Sequence, residues 1–138
     1  MGSGAMYDAT TASSNVAIGY QSLANLTTGD SNTVIGYQAG DAITATANTV
    51  LIGQSAGTDI NSTSANGTVA IGYQAGMRHT SGAGCVYVGN AAGDHCTDGN
   101  RNVAIGEASL SGNADDDNVA VGYGALGACL GADNVGVG

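Results

Sequence analysis

Asn15-Val16-Ala17-Ile18-Gly19-Tyr20-Gln21-Ser22-Leu23 is answered further on by Asn32-Thr33-Val34-Ile35-Gly36-Tyr37-Gln38-Ala39-Gly40, and the likeness of these two stretches decides the fold. Self-similarity at a fixed period is the mark of a repeat architecture. The four-residue core of the motif, closed by glycine, recurs eight times, with the glycine at 19, 36, 53, 72, 89, 106, 122 and 138. Successive glycines are 17, 17, 19, 17, 17, 16 and 16 residues apart. Residues 15–138 therefore form one domain with eight coil anchors, and 1–14 read as an expression scar, over Met1-Gly2-Ser3-Gly4-Ala5-Met6, and a lead-in.

The residues one and three before each glycine are Val, Ile or Thr without exception, as a strand prefers. They are read as the stripe facing the core. Period-two geometry places the residue between them on the other face: Ala17, Val34, Leu51, Ala70, Tyr87, Ala104, Ala120 and Gly136, with no charge among them. A strand wet on one face should alternate with polar residues, so this small-residue face is expected to lie against a neighbouring chain. Asn before the cassette suits a turn, and the closing glycine permits a bend with positive φ. Stacked coils of this kind predict an all-β fold, a parallel β-solenoid of 16–19-residue coils. Its seven intervals at ~4.8 Å make a rod about 34 Å long.

Composition agrees with that reading. The 138 residues include 24 glycines and no Pro, Phe or Trp, and proline would delete ladder hydrogen bonds. Leu, Ile and Val number only 24 together, too few for a roomy core, so closure by several chains side by side is expected, threefold association being one of the common symmetries. The formal charge of -9, with Arg78 and Arg101 as the only Lys or Arg, excludes a phosphate-neutralising surface and with it nucleic acid. No apolar run approaches the roughly 20 residues a membrane span needs.

The quoted motifs, with Asn25-Leu26-Thr27-Thr28-Gly29 between them, resemble the repeats of phage tail-fibre proteins. They are also similar to the Asn-x-Val-Ala-Ile-Gly repeats of trimeric autotransporter adhesin heads. The resemblance implies a homotrimer of left-handed parallel β-rolls with the Val/Ile stripe inside each roll. Tyr-Gln after the glycine and coils longer than those of adhesin heads favour the phage-fibre branch. The function implied is a structural and receptor-binding segment of a virion tail fibre, attaching to a bacterial surface receptor, glycan or protein, through variable loops. The alternative is an adhesin head on a bacterial cell surface that binds host matrix or cells. The sequence ends on a cassette glycine, where an open solenoid would need a cap, so it is read as a fragment of a longer fibre.

No motif carries catalysis: Ser81 and Asp98 near His79 and His95 match no nucleophile pattern, and no cofactor is expected. Asp94-His95-Cys96 with Cys85 and His79 bears soft metal ligands, but without the fixed spacing a site needs. Asp115-Asp116-Asp117 is an acidic turn, better read as a solvated loop than as a calcium site. No metal is assigned. An ice-binding solenoid would need a regular threonine array, and Thr27-Thr28 and Thr44-Ala45-Thr46 are read as out of register. Receptor contact is expected in the irregular loops, chiefly 58–67, Arg78, His79, Asp94 and His95. Tyr20, Tyr37, Tyr73 and Tyr123 share one coil position; they either stack on sugar rings or pack the coil's corner.

Overall fold

The computed structural model describes residues 2–138. Eight three-residue strands, β1 (Val16–Ile18), β2 (Thr33–Ile35), β3 (Val50–Ile52), β4 (Val69–Ile71), β5 (Val86–Val88), β6 (Val103–Ile105), β7 (Val119–Val121) and β8 (Val135–Val137), form one sheet in sequence order. Every neighbouring pair is parallel, and cassette residues meet their counterparts, as Val16, Ala17 and Ile18 meet Thr33, Val34 and Ile35. This is a β-solenoid of about seven coils. The longest coil accommodates its extra residues in a 3-10 turn at Thr63–Ala65. Residues 2–14 follow the same path as a partial coil, with Met6 N donating to Ser22 O (3.1 Å) and Gln21 N to Ser3 O (3.0 Å).

The closing glycines do what the sequence suggests. Gly36 has φ of 149°, and a Cβ there would strike the carbonyl of Gly53 in the next coil.

The facing of the strands is the reverse of the expectation. The middle residue of each cassette points into the coil: Val34, Leu51, Ala70, Tyr87, Ala104 and Ala120 are fully buried. The Val/Ile residues lie outside, with Val16 46%, Ile18 49% and Ile105 41% exposed. A 17-residue coil encloses a narrow interior already occupied by Leu23, Leu26, Ile43, Ile60 and Leu110 from its other sides. One inward residue per strand fits there; two β-branched residues do not. Their recurrence therefore reflects strand preference, not burial.

Volume is conserved coil by coil. Where the inward strand residue is Ala17, Ala104 or Ala120, the residue six positions later is Leu23, Leu110 or Leu126; where it is Val34, Leu51 or Tyr87, that residue is Gly40, Gly57 or Gly93. A Cβ on Gly57 would lie 2.9 Å from Leu51 Cδ2, and one on Gly93 would strike the Tyr87 ring. Ala70 is followed by Gly76 because Tyr87, one coil further on, fills that space too, 2.7 Å from a Cβ there. All seven of these corner residues have φ between 48° and 60°. Left-handed backbone costs a non-glycine about 1–2 kcal/mol, whereas burying a leucine returns about 1.5–3 kcal/mol. Leucine therefore wins wherever the space is open, and glycine where it is filled.

Candidate functional site

Inside the coils, the asparagine before the cassette proves to be a buried staple. Asn32 and Asn118 are fully buried. Asn15 Oδ1 accepts from Asn32 N (2.8 Å), Asn32 Oδ1 from Thr49 N (3.0 Å) and Asn118 Oδ1 from Asn134 N (3.0 Å). The amide nitrogens of Asn15, Asn32 and Asn118 donate across the coil to the carbonyls of Gly29, Thr46 and Gly131. The positive-φ turn falls one residue earlier, at Ser31, Asn48, Arg101, Asp117 and Asp133. A polar group is thus buried with its hydrogen bonds satisfied.

Thr49, Thr68 and Cys85 replace that asparagine in three coils, and beside Thr68 another donor is recruited. His79 is fully buried, against its expected place on a loop surface, and so cannot contact a receptor. Its Nε2 lies 2.6 Å from Gly82 O, the carbonyl an asparagine at 68 would have reached, and its Nδ1 lies 3.3 Å from Tyr87 OH and 3.0 Å from Cys96 O. A neutral ring has one N–H for these two carbonyls: on Nε2 it serves Gly82 O, the shorter contact, and Nδ1 accepts from Tyr87 OH while facing Cys96 O without a bond. Burial holds the His79 pKa below that of free histidine. Burial likewise raises the Cys85 thiol and takes Cys96 up to about 11. Their thiols donate to Gly99 O (3.1 Å) and Leu110 O (3.2 Å), and burial pushes the Tyr87 phenol well up as well.

The soft ligands of the sequence are therefore split: His79, Cys85 and Cys96 face inward, while His95 is exposed. Among the described residues no group of three or more His, Cys, Asp or Glu is placed to hold a metal ion. The Asp115–Asp117 turn is solvent-exposed, as expected of an acidic loop, and two of its carboxylates also bond to the neighbouring coil. Asp116 accepts from Asn100 N and Nδ2 (2.9 and 3.0 Å), and Asp117 pairs with Arg101 through two bonds of 2.6 and 2.7 Å. Those contacts lower the pKa of both carboxyls, chiefly through the Asn100 backbone for Asp116 and the Arg101 guanidinium for Asp117.

Three features face outward. The first is the apolar Val/Ile sheet face described above. On a second corner, Tyr20 and Tyr37 stack with ring centroids 5.4 Å apart and planes 15° apart. Tyr73 and Tyr123 continue that column, exposed by 48% and 78%, with Gln54, Asn90 and Glu107 in the intervening coils. The third is a polar patch in which Arg78 Nη1 lies 2.6 Å from His95 Nε2 and His95 lies 3.5 Å from Asp94. Of the expected contact residues, then, the structure brings Arg78, Asp94 and His95 together and removes only His79.

The threonines also differ from their reading, for Thr10, Thr27 and Thr44 share one column that Thr80 and Thr97 resume beyond Asn61. The hydroxyls of Thr10, Thr27 and Thr80 donate to the carbonyls of the next threonines at 2.8–2.9 Å. They are spent along the stack.

Comparison with family models, with curated proteins and with solved structures gave no match.

Proposed function

We propose that this chain is a structural and receptor-binding segment of a trimeric phage tail fibre, its coils left-handed, its rod displaying side-chain patches and irregular loops to a bacterial surface glycan. The observation that carries the assembly is the Val/Ile face. Two columns of β-branched residues run the length of the sheet with no charge in them. Seven strand spacings of ~4.8 Å give a flat apolar strip about 34 Å long, a contiguous patch of the kind that marks an interaction surface. A second copy has the same spacing, so its methyl groups fall into the gaps of the first along the whole length. The interface is therefore assigned to the β-branched face and not to the small-residue face, which fills the coil. Recognition falls to the exposed Arg78 and His95 with the part-buried Asp94 beside them, to the Tyr column and to the loop at 58–67.

Light scattering tests the assembly: the expected mass is three times the 13.3 kDa of one chain, and Ile71→Asp with Ile105→Asp should release monomers that keep their β-sheet spectrum. A monomeric wild type overturns it. Attachment is tested by adding labelled protein to a panel of bacterial strains, of which at least one should stain and lose the stain after periodate treatment of its surface sugars. Failure to stain any strain overturns the receptor role.

A further inference from the structure

We infer that the corner between the partial first coil and the coil that follows it is a saccharide subsite, built on Tyr7 and Tyr20. The inference rests on the receptor-binding reading above and gives it a location. A cleft of about 400 Å³ opens there, lined by Ser3, Tyr7, Asp8, Tyr20, Gln21 and Asn25 among others. That volume lies at the lower end of the ~300–1,000 Å³ usual for small-ligand sites, so it suits one or two rings and not a long chain.

The lining chemistry selects the class. Tyr7 and Tyr20 are 82% and 46% exposed. Tyr20 is braced by its stack on Tyr37, so it offers an aromatic surface whose position is already fixed. Stacking on an aromatic ring suits the apolar C–H face of a sugar, while the sugar's hydroxyls need planar donors and acceptors around the rim. Gln21 accepts from Gln38 Nε2 through its Oε1 (3.3 Å), which among the described residues leaves its own Nε2 to donate. Asn25 uses its Nδ2 on Asp41 O (2.6 Å), which leaves its Oδ1 to accept. The Asp8 carboxylate completes a mixed set of donors and acceptors.

Two other ligand classes fit less well. An anionic sugar or phosphate has no arginine or lysine side chain to meet there among the described residues, since Arg78 and Arg101 both lie in later coils. A quaternary ammonium group would find two aromatic rings and one carboxylate, but it carries no hydrogen-bonding atoms and would leave Gln21 and Asn25 unused. A neutral hexose or an amino sugar uses all of them.

The test is a glycan array read in parallel with cell staining, using the full chain, Tyr20→Ala, Tyr20→Phe, Asp8→Asn and, as a distant control, Glu107→Gln. Wild type should bind a neutral or amino sugar. Tyr20→Ala should lose at least tenfold, Asp8→Asn severalfold and Tyr20→Phe, which keeps the ring, less than Tyr20→Ala, while Glu107→Gln binds as wild type does. Should Tyr20→Ala lose its β-sheet spectrum, Asp8→Asn and Gln21→Ala carry the test. Saccharide binding that no cleft variant weakens overturns the subsite and leaves the receptor role standing. Staining of cells by a wild type that binds no saccharide does the same, and so does displacement of the bound sugar by choline, which would mark a cation cage. A wild type that neither stains nor binds overturns both.

Discussion

The coils around β1 to β3 and those around β4 and β5 share one backbone and differ in what they enclose. In the first group the interior is aliphatic: Leu23, Leu26, Ile43, Leu51 and Ile60, all fully buried. In the second it is His79, Tyr87, Cys85 and Cys96, buried just as completely. Strand register passes from one to the other without a slip. The difference teaches that the fold is held by what repeats along the stack, the glycine corners and the interstrand ladder, while the contents of each coil need only match in volume and leave no polar atom unpaired.

If that is so, breaking the stack should be equally damaging in both regions. Gly53 and Gly89 have φ of 137° and 136°, and a Cβ at either would press on the carbonyl carbon of Gly72 or Gly106 at 2.6–2.7 Å. Backbone strain of this kind costs about 1–3 kcal/mol alone, and the backbone collision adds to it. Gly53→Ala and Gly89→Ala should each cost at least about 4 kcal/mol in chemical denaturation, a large share of the ~5–15 kcal/mol typical of a folded protein. A glycine whose replacement leaves melting unchanged in one region but not in the other would break the comparison.

The enclosed volume gives the next largest effect. Tyr87→Ala should cost about 3–5 kcal/mol, as truncation of a buried aromatic does, and Gly93→Leu alone should overpack the coil by at least about 1–3 kcal/mol. Together they rebuild the Ala104/Leu110 arrangement of the coil around β6. The double variant should therefore melt well above what the two losses predict in sum, a coupling of more than about 2 kcal/mol in a double-mutant cycle. Simple additivity would show that the Ala/Leu and Tyr/Gly pairs are unrelated.

That pairing could have been read from the chain, since Leu stands six residues after Ala17, Ala104 and Ala120, and Gly six after Val34, Leu51 and Tyr87. It was hidden by the reversed facing of the strands. The period of the coils, all eight strands and the role of the closing glycines are legible because each depends on local backbone geometry repeated in sequence. Which strand face is interior is not, because an alternation defines two faces without saying which one the coil closes around. Val16 and Ile18 look like core residues for that reason and are half exposed. The site suffers in the same way. His79 reads as a loop residue beside Arg78, and only the coil path shows that it turns inward in the column of Leu26, Ile43 and Ile60. The stapling asparagine is missing at Thr68, but it is missing at Thr49 and Cys85 as well, where Ile60 and Cys96 take the inward place, so its absence alone does not point to His79.

The smallest effect sharpens that substitution of one donor for another. Since burial holds the His79 pKa below the free value of 6.5, the unfolded chain binds the proton first as pH falls. Stability is therefore fully present above about pH 6.5 and is lost as pH drops below it, before carboxylates of ordinary pKa near 3.8 begin to titrate. Each unit of separation between the folded and unfolded values is worth about 1.4 kcal/mol. Melting followed from pH 7.5 to 5 should fall by a few degrees. His79→Leu should flatten that slope, because the coil then resembles the one containing Leu26. It should also melt lower at pH 7.5, because Gly82 O loses the donor 2.6 Å away. Thr68→Asn added to His79→Leu should restore most of the loss, with the new amide reaching Gly82 O as Asn15 reaches Gly29 O. If the pH slope survives in His79→Leu, the titrating group is not His79. If Thr68→Asn gives no rescue, the histidine fills space in the coil without serving as the missing staple.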